Sequence, residues 1–129
     1  MRTVDGRVDK ARMGNNVITR DTITIAQDGG GVAGAVGYMP FAGDIVAVTF
    51  MNDSGAVFTG AAKISVVAGD VISSTANLAD NTTEHITAGL AHNTGLAKAA
   101  LITLTTGTTV GTGPTVAIIE VEGKLNAVV

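Results

Sequence analysis

His85 and His92 are the only histidines in the chain, and with Glu84 beside the first they are where metal or proton-transfer chemistry would start. They stand seven positions apart with no third donor at useful spacing, whereas a zinc or iron site needs at least three convergent ligands. We read them as surface or subunit-contact residues. A histidine-based triad would need an exposed nucleophile elbow, and no Gly-x-Ser-x-Gly occurs. Asp44, Asp70 and Glu120 sit beside strand-like runs, but a glycoside-hydrolysing carboxylate pair needs a substrate cleft. With four aromatic residues in all, the chain is poorly supplied to line one.

Two loop patterns fail on context. Gly29, Gly31 and Gly34 satisfy G-x-G-x-x-G after a strand-like segment, yet Gly37, Pro40 and Gly43 leave no room for the helix that would anchor a pyrophosphate. Asn52-Asp53-Ser54-Gly55 lacks the acidic series and closing Glu of a calcium loop, and we read it as a hairpin turn. Asn81-Thr82-Thr83 matches a glycosylation acceptor but follows no secretory signal. We therefore assign no catalytic, metal or cofactor-binding residue, and expect neither an enzyme nor a cofactor.

The elements that would have to position any site divide by charge. Residues 1–20 hold five of the eight basic side chains, Arg2, Arg7, Lys10, Arg12 and Arg20, and carry a net +3, whereas residues 21–129 carry −6. The first segment is polar, interrupted by glycine and without apolar periodicity, so it builds no core of its own and gains order from a partner. We read an extended N-terminal arm over 1–20 and a β-domain over 21–129. Lysine and arginine suit phosphate, but Asp5 and Asp9 break the run and no aromatic interleaves to stack on bases, so we expect no nucleic acid. Fully extended, an arm of this length reaches roughly 65 Å.

Val, Ile and Thr together make up 44 of the 129 residues, against 6 Leu and 3 Glu. β-Branching stiffens χ1 and favours the pleated strand, so the composition selects an all-β fold. Cysteine is absent, which removes disulfides and thiolate chemistry. The charges at positions 2, 5, 7, 9, 10 and 12 leave no apolar leader, and no run approaches the ~20 apolar residues of a membrane helix. We expect a soluble protein with no membrane partner.

Period-2 alternation from Thr22 places Ile23 and Ile25 on one face of a first strand. A turn at Asp28-Gly29-Gly30-Gly31 leads to a second strand over 32–39, ended by Pro40. The strongest strand covers 44–51, and others are expected over 61–67, 71–73, 82–88, 101–104 and 115–122. Ala-Gly-Asp occurs twice, at 42–44 and 68–70, and we read two similar turns. Residues 75–81 read as a surface loop and 96–100 as a brief helical turn. The loop 105–114 is expected to close a hairpin between neighbouring strands. Seven or eight strands at this spacing make an antiparallel sandwich or barrel.

Gly37-Tyr38-Met39-Pro40-Phe41-Ala42-Gly43-Asp44-Ile45-Val46-Ala47-Val48, Ala100-Leu101-Ile102-Thr103-Leu104, Gly111-Thr112-Gly113-Pro114 and Val116-Ala117-Ile118-Ile119-Glu120-Val121 carry a resemblance to bacteriophage head decoration proteins, also called cement proteins. It spans residues 22–122. The resemblance implies a jelly-roll β-sandwich and a non-enzymatic virion protein. Such a protein is made in the host cytoplasm, binds the major capsid protein at the capsid surface and stabilises the shell. The family pattern lacks so distinct a basic arm; Arg2, Arg7, Lys10, Arg12 and Arg20 are our candidate capsid-docking residues.

The composition points the same way independently. An apolar content of 46% with 15% charge is hard to keep wet, so part of the surface is expected to be covered by sister subunits or a shell. We expect a homotrimer. The alternative is a receptor- or glycan-binding module of a phage fibre, with loops 75–81 and 105–114 as contact sites, against which stands the shortage of Trp and Tyr.

Overall fold

The computed structural model describes residues 18–27, 34–106 and 113–124. Among these there is no helix. The strands are β1 (Ile18–Gln27), β2 (Ala35–Tyr38), β3 (Asp44–Asn52), β4 (Lys63–Val66), β5 (Gly69–Ser73), β6 (Thr82–Ile86), β7 (Leu101–Thr105) and β8 (Thr115–Lys124). They form two four-stranded antiparallel sheets, ordered β1-β8-β3-β6 and β2-β7-β4-β5. The all-β sandwich expected from composition is the fold, and its strand order is that of a jelly roll.

That order follows from a single long hairpin. Its tip joins β4 to β5, and moving outward β3 pairs with β6, β2 with β7 and β1 with β8, all antiparallel. Rolling the ribbon lays β3 against β8 and β4 against β7, which completes both sheets. Every connection except β4 to β5 therefore crosses from one sheet to the other.

This crossing corrects several local expectations. Asn52-Asp53-Ser54-Gly55 is not a hairpin turn, because β3 and β4 lie in different sheets. The loop after Thr105 likewise carries the chain from the second sheet to the first and closes no hairpin; its residues 107–112 lie outside those described. Among the described residues the second strand is β2, which pairs with β7 and not with β1, and residues 32 and 33 of the expected run lie outside those described. The glycine turn read at 28–31 lies outside the described residues. Of the two Ala-Gly-Asp tripeptides only the second, with Gly69 at φ +154°, sits at a hairpin. Gly43 instead forms an isolated bridge, exchanging both backbone hydrogen bonds with Leu96. Residues 96–100 are correspondingly extended at Leu96 and then turn once, with Ala100 N–H donating to Ala97 C=O.

Alternation on β3 and β8 supplies the core. Ile45, Val48 and Phe50 point inward beside Val121, Ile119 and Ala117, and all are buried. Ile64, Ile102 and Leu104 cover them from the second sheet, while Phe58 and Met39 plug the sandwich from connecting segments. Each such side chain contributes about 1.5–3 kcal/mol on burial. A bulge between Ile45 and Ala47 shifts the register of β3 against β8. On β2 the inward position is Gly37, where a Cβ would stand 3.1 Å from Ile23 and Ile25. The two isoleucines of β1 fill that layer, so the large residues of β2 face outward.

Candidate functional site

Three surface features are candidates, and each follows from strand register. The first is the outer face of the β1-β8-β3-β6 sheet. Arg20 stands opposite Glu122, Thr22 opposite Glu120, and Thr49 opposite His85. Arg20 Nε donates to Glu122 Oε2 at 2.9 Å, and the His85 ring nitrogen Nδ1 is 2.7 Å from Thr49 Oγ1. His85 Nε2 lies 4.0 Å from Glu120 Oε2. At the bulge, Val46 and the small Ala47 leave a low floor, and an open groove of about 490 Å³ forms between Arg20, His85, Glu120 and Glu122. These side chains are between 31% and 75% exposed, so their pairings are screened and contribute little to stability.

The second feature is apolar. Val36 and Tyr38 on β2 and Leu101 on β7 lie on the outer face of the other sheet, 50%, 57% and 37% exposed. Tyr38 is directly opposite Leu101, and Val36 is opposite Thr103. Tyr38 is the only tyrosine of the chain. An exposed aromatic with two aliphatic neighbours on adjacent strands is the composition of an interface centre. Farther along the sheet Lys63 and Asp70 pair across β4 and β5 at 3.6 Å.

The third is a groove of about 440 Å³ at the start of β1. Ile18, Leu96 and Ala97 give it apolar walls, Gly43 and Gly123 contribute bare backbone, and its charged members are Asp44 and Glu122. Asp44 Oδ1 accepts from Gly95 N–H at 2.9 Å, which fixes that carboxylate against the loop before Leu96.

The residues singled out for chemistry are dispersed. His85 lies on β6, whereas His92 sits in the following loop against Gly69 of the other sheet. Glu84 is occupied as a loop fastener, accepting from Thr75 N–H at 2.7 Å and Thr75 Oγ1 at 2.5 Å. Asp44 and Glu120 are on one sheet and Asp70 on the other. Among the described residues no three His, Cys, Asp or Glu side chains stand together as metal ligands. Of the candidate docking residues, Arg20 belongs to β1, while Arg2, Arg7, Lys10 and Arg12 lie outside the described residues. The β-domain thus starts at least as early as Ile18, ahead of the boundary read at residue 21. Tyr38 and Leu101 were missed as site residues. The signal was present in β2, where small Ala35 and Gly37 alternate with large Val36 and Tyr38.

In comparisons with known proteins, no family model matches the chain and no curated protein does. Among solved structures, the fold is similar to a chain of the cyanophage Pam1 capsid asymmetric unit, with a TM-score of 0.53 and 14% identity over 81% of this chain and 82% of that one. A chain of Bacillus endospore appendages, a family of disulfide-linked pili, aligns at a TM-score of 0.41 and 16% identity over 81% of this chain and 87% of that one. The first likeness is one of fold; the second is too low to carry an argument.

Proposed function

We propose that this chain is a structural virion protein that binds the outer surface of a phage capsid and stabilises the shell, as a decoration or cement protein, and that it acts without catalysis. The observation that carries the reading is the jelly roll itself, shared in outline with a chain of a phage capsid asymmetric unit. The exposed Val36, Tyr38 and Leu101 support it, because an apolar face on a chain with so little charge suits permanent cover. Its partners in this reading are the major capsid protein and sister copies, arranged as a homotrimer.

Attachment is mechanical. The β-domain lies over a seam between capsid subunits, and Arg2, Arg7, Lys10, Arg12 and Arg20 meet acidic neighbours. One exposed ion pair contributes ~0–1 kcal/mol, so firmness comes from repeated contacts and valency. Because β1 begins at Ile18, the deletion that tests the arm without cutting the sheet ends at Val17.

The test is co-sedimentation of the full-length protein with capsids lacking it, followed by heating of the shells. Saturable binding that raises the disruption temperature is expected, and a folded chain lacking residues 1–17 should bind less. Failure of the full-length protein to bind would overturn the reading and favour a receptor-binding module. Normal attachment by the truncated chain would remove the arm from the mechanism.

A further inference from the structure

The two sheets leave four edge strands, β1, β6, β2 and β5. β1 carries Arg20 and Asp21, β5 carries Asp70 and β6 carries Glu84, whereas Ala35-Val36-Gly37-Tyr38 of β2 has no charged residue and its neighbour β7 has none either. Charge on an edge strand deters pairing with another chain, and of these four edges β2 alone lacks it. The edge at β5 is also partly covered, since Ala91 N–H donates to Val71 C=O at 2.9 Å. Among the described residues, no strand or loop is hydrogen-bonded to the open side of β2.

Backbone direction decides what that open side offers. Met39 N–H donates to Ala100 C=O at 3.0 Å, and in an antiparallel ladder the hydrogen-bonded positions recur at every second residue. Gly37 and Ala35 therefore turn their backbone groups to β7, while Val36 and Tyr38 turn theirs to the free edge. The same two residues carry the exposed side chains of the strand.

We propose that β2 pairs with β2 of a second copy, antiparallel about a two-fold axis at Gly37, so that the two four-stranded sheets join edge to edge. Continuing a sheet requires residues that oppose one another to lie on the same face. Setting Val36 against Tyr38 of the second copy meets that condition, and each such pair exchanges the free N–H and C=O groups of both residues. A shift of two residues one way brings in Pro40, which has no N–H to give, and a shift the other way sets Tyr38 against Gly34, which has no side chain. Within each copy Tyr38 stands opposite Leu101 and Val36 opposite Thr103, so the joined outer face carries the row Leu101, Tyr38, Val36, Thr103 in both directions. An aromatic beside a β-branched residue is a favourable cross-strand pair, and with no charge in the row two chains of like net charge meet there without repulsion. The contact is isologous, so in a homotrimer it links copies of neighbouring trimers. It rests on strand register and is independent of the capsid reading.

Tyr38 is the only tyrosine, so photo-oxidative coupling of phenol rings can join two chains at that residue alone. In the proposed register the two copies of Tyr38 are diagonal neighbours, roughly 7–8 Å apart, and their rings are within reach of each other. Full-length protein at high micromolar concentration, without capsids, should give a dityrosine-linked dimer in a yield on the order of tenfold above that of the same chain unfolded in urea, because pairing raises the effective concentration of the rings. Val36→Pro removes one edge donor from each copy and none of the bonds between β2 and β7, and should lower the yield on the order of tenfold. Val36→Lys keeps the backbone donor and places charge on the edge, and should lower it several-fold. Val67→Lys, which replaces a 91% exposed valine at the tip of the β4-β5 hairpin, should leave the yield unchanged. Circular dichroism establishes that each variant is folded. A wild-type yield no higher than that of the unfolded chain would overturn the proposal. So would an undiminished yield from either Val36 variant that folds, since the tyrosines would then meet by stacking of faces and not by strand pairing. Neither result bears on attachment to shells, which co-sedimentation measures separately.

Discussion

Asn52 and Ser54 form a closed hydrogen-bonded unit at the end of β3, in which Asn52 Oδ1 accepts from both the backbone N–H of Ser54, at 3.1 Å, and its hydroxyl, at 2.7 Å. The Nδ2 of Asn52 donates to Ala56 C=O at 2.9 Å and to Leu78 C=O at 2.8 Å. One buried amide thereby ties the segment after β3 to the segment before β6. Asparagine alone offers two donors and an acceptor on so short a stem.

Asn52→Ala should consequently cost on the order of 3 kcal/mol, because it leaves buried backbone groups without partners. Asn52→Asp should be worse, since a carboxylate oxygen would then face two carbonyl oxygens. Urea denaturation followed by circular dichroism gives both values; an aspartate variant as stable as the wild type would show that the unit does not hold the loop.

Gly43 and Gly123 should resist substitution by alanine for a reason that is steric and not conformational. Neither has positive φ, but a Cβ on either would press on backbone carbonyl oxygen. Gly43→Ala and Gly123→Ala should each lower stability by about 1–3 kcal/mol. Gly60→Ala, where φ is +98° and open space surrounds the site, should cost about 1–2 kcal/mol through backbone strain. Thermal melts of the three variants measure the comparison. Crystal structures would show β8 displaced from residue 42 in the first two and unmoved in the third.

Arg20→Ala should leave the folded state nearly as stable as before. The Arg20 side chain is 75% exposed, and an ion pair so placed contributes about 0–1 kcal/mol, less as salt rises. If Arg20 serves attachment, capsid binding by the variant should weaken while its urea midpoint stays in place. A large loss of stability would contradict the exposure of the pair.

Tyr38→Ser with Leu101→Ser removes the apolar centre of the β2-β7 face without touching the core. Stability should change by about 1 kcal/mol or less, as for other exposed substitutions, while, on the proposed reading, association with sister copies or shells should drop markedly. Sedimentation velocity on the purified variant and co-sedimentation with shells separate the two associations. Unchanged behaviour in both would show that this face makes neither contact.

Local pattern carried the strands further than it carried their partners. β3 and β8 were legible because each is a run rich in β-branched residues beside clear turn signals, and β4-β5 because Gly69 marks its turn. The crossings after Asn52 and Thr105 were not legible, since a run of Asn, Asp, Ser, Thr and Gly has the same chemistry whether the chain returns in its own sheet or passes to the other. Tyr38 shows the same limit for the site. Its strand alternates visibly, but which side is inward depends on Ile23 and Ile25 of a strand in the opposite sheet. The Arg20–Glu122 pair depends on a register between residues 102 positions apart, which no local window contains.

The pairing of β1 with β8 also bears on how the chain comes off the ribosome. Within its sheet β1 has only β8 as a neighbour, and β8 begins at Thr115. At ~5–20 residues per second, the interval between emergence of the two strands is roughly 4–18 s. Within that time the tip hairpin of β4 and β5 can form, but the first strand has nothing to pair with in its sheet, and the sandwich closes only once β8 has been made. The exposed Thr22 and Thr24 and the charged Arg20 and Asp21 keep that waiting strand polar, which limits its pairing with another nascent chain.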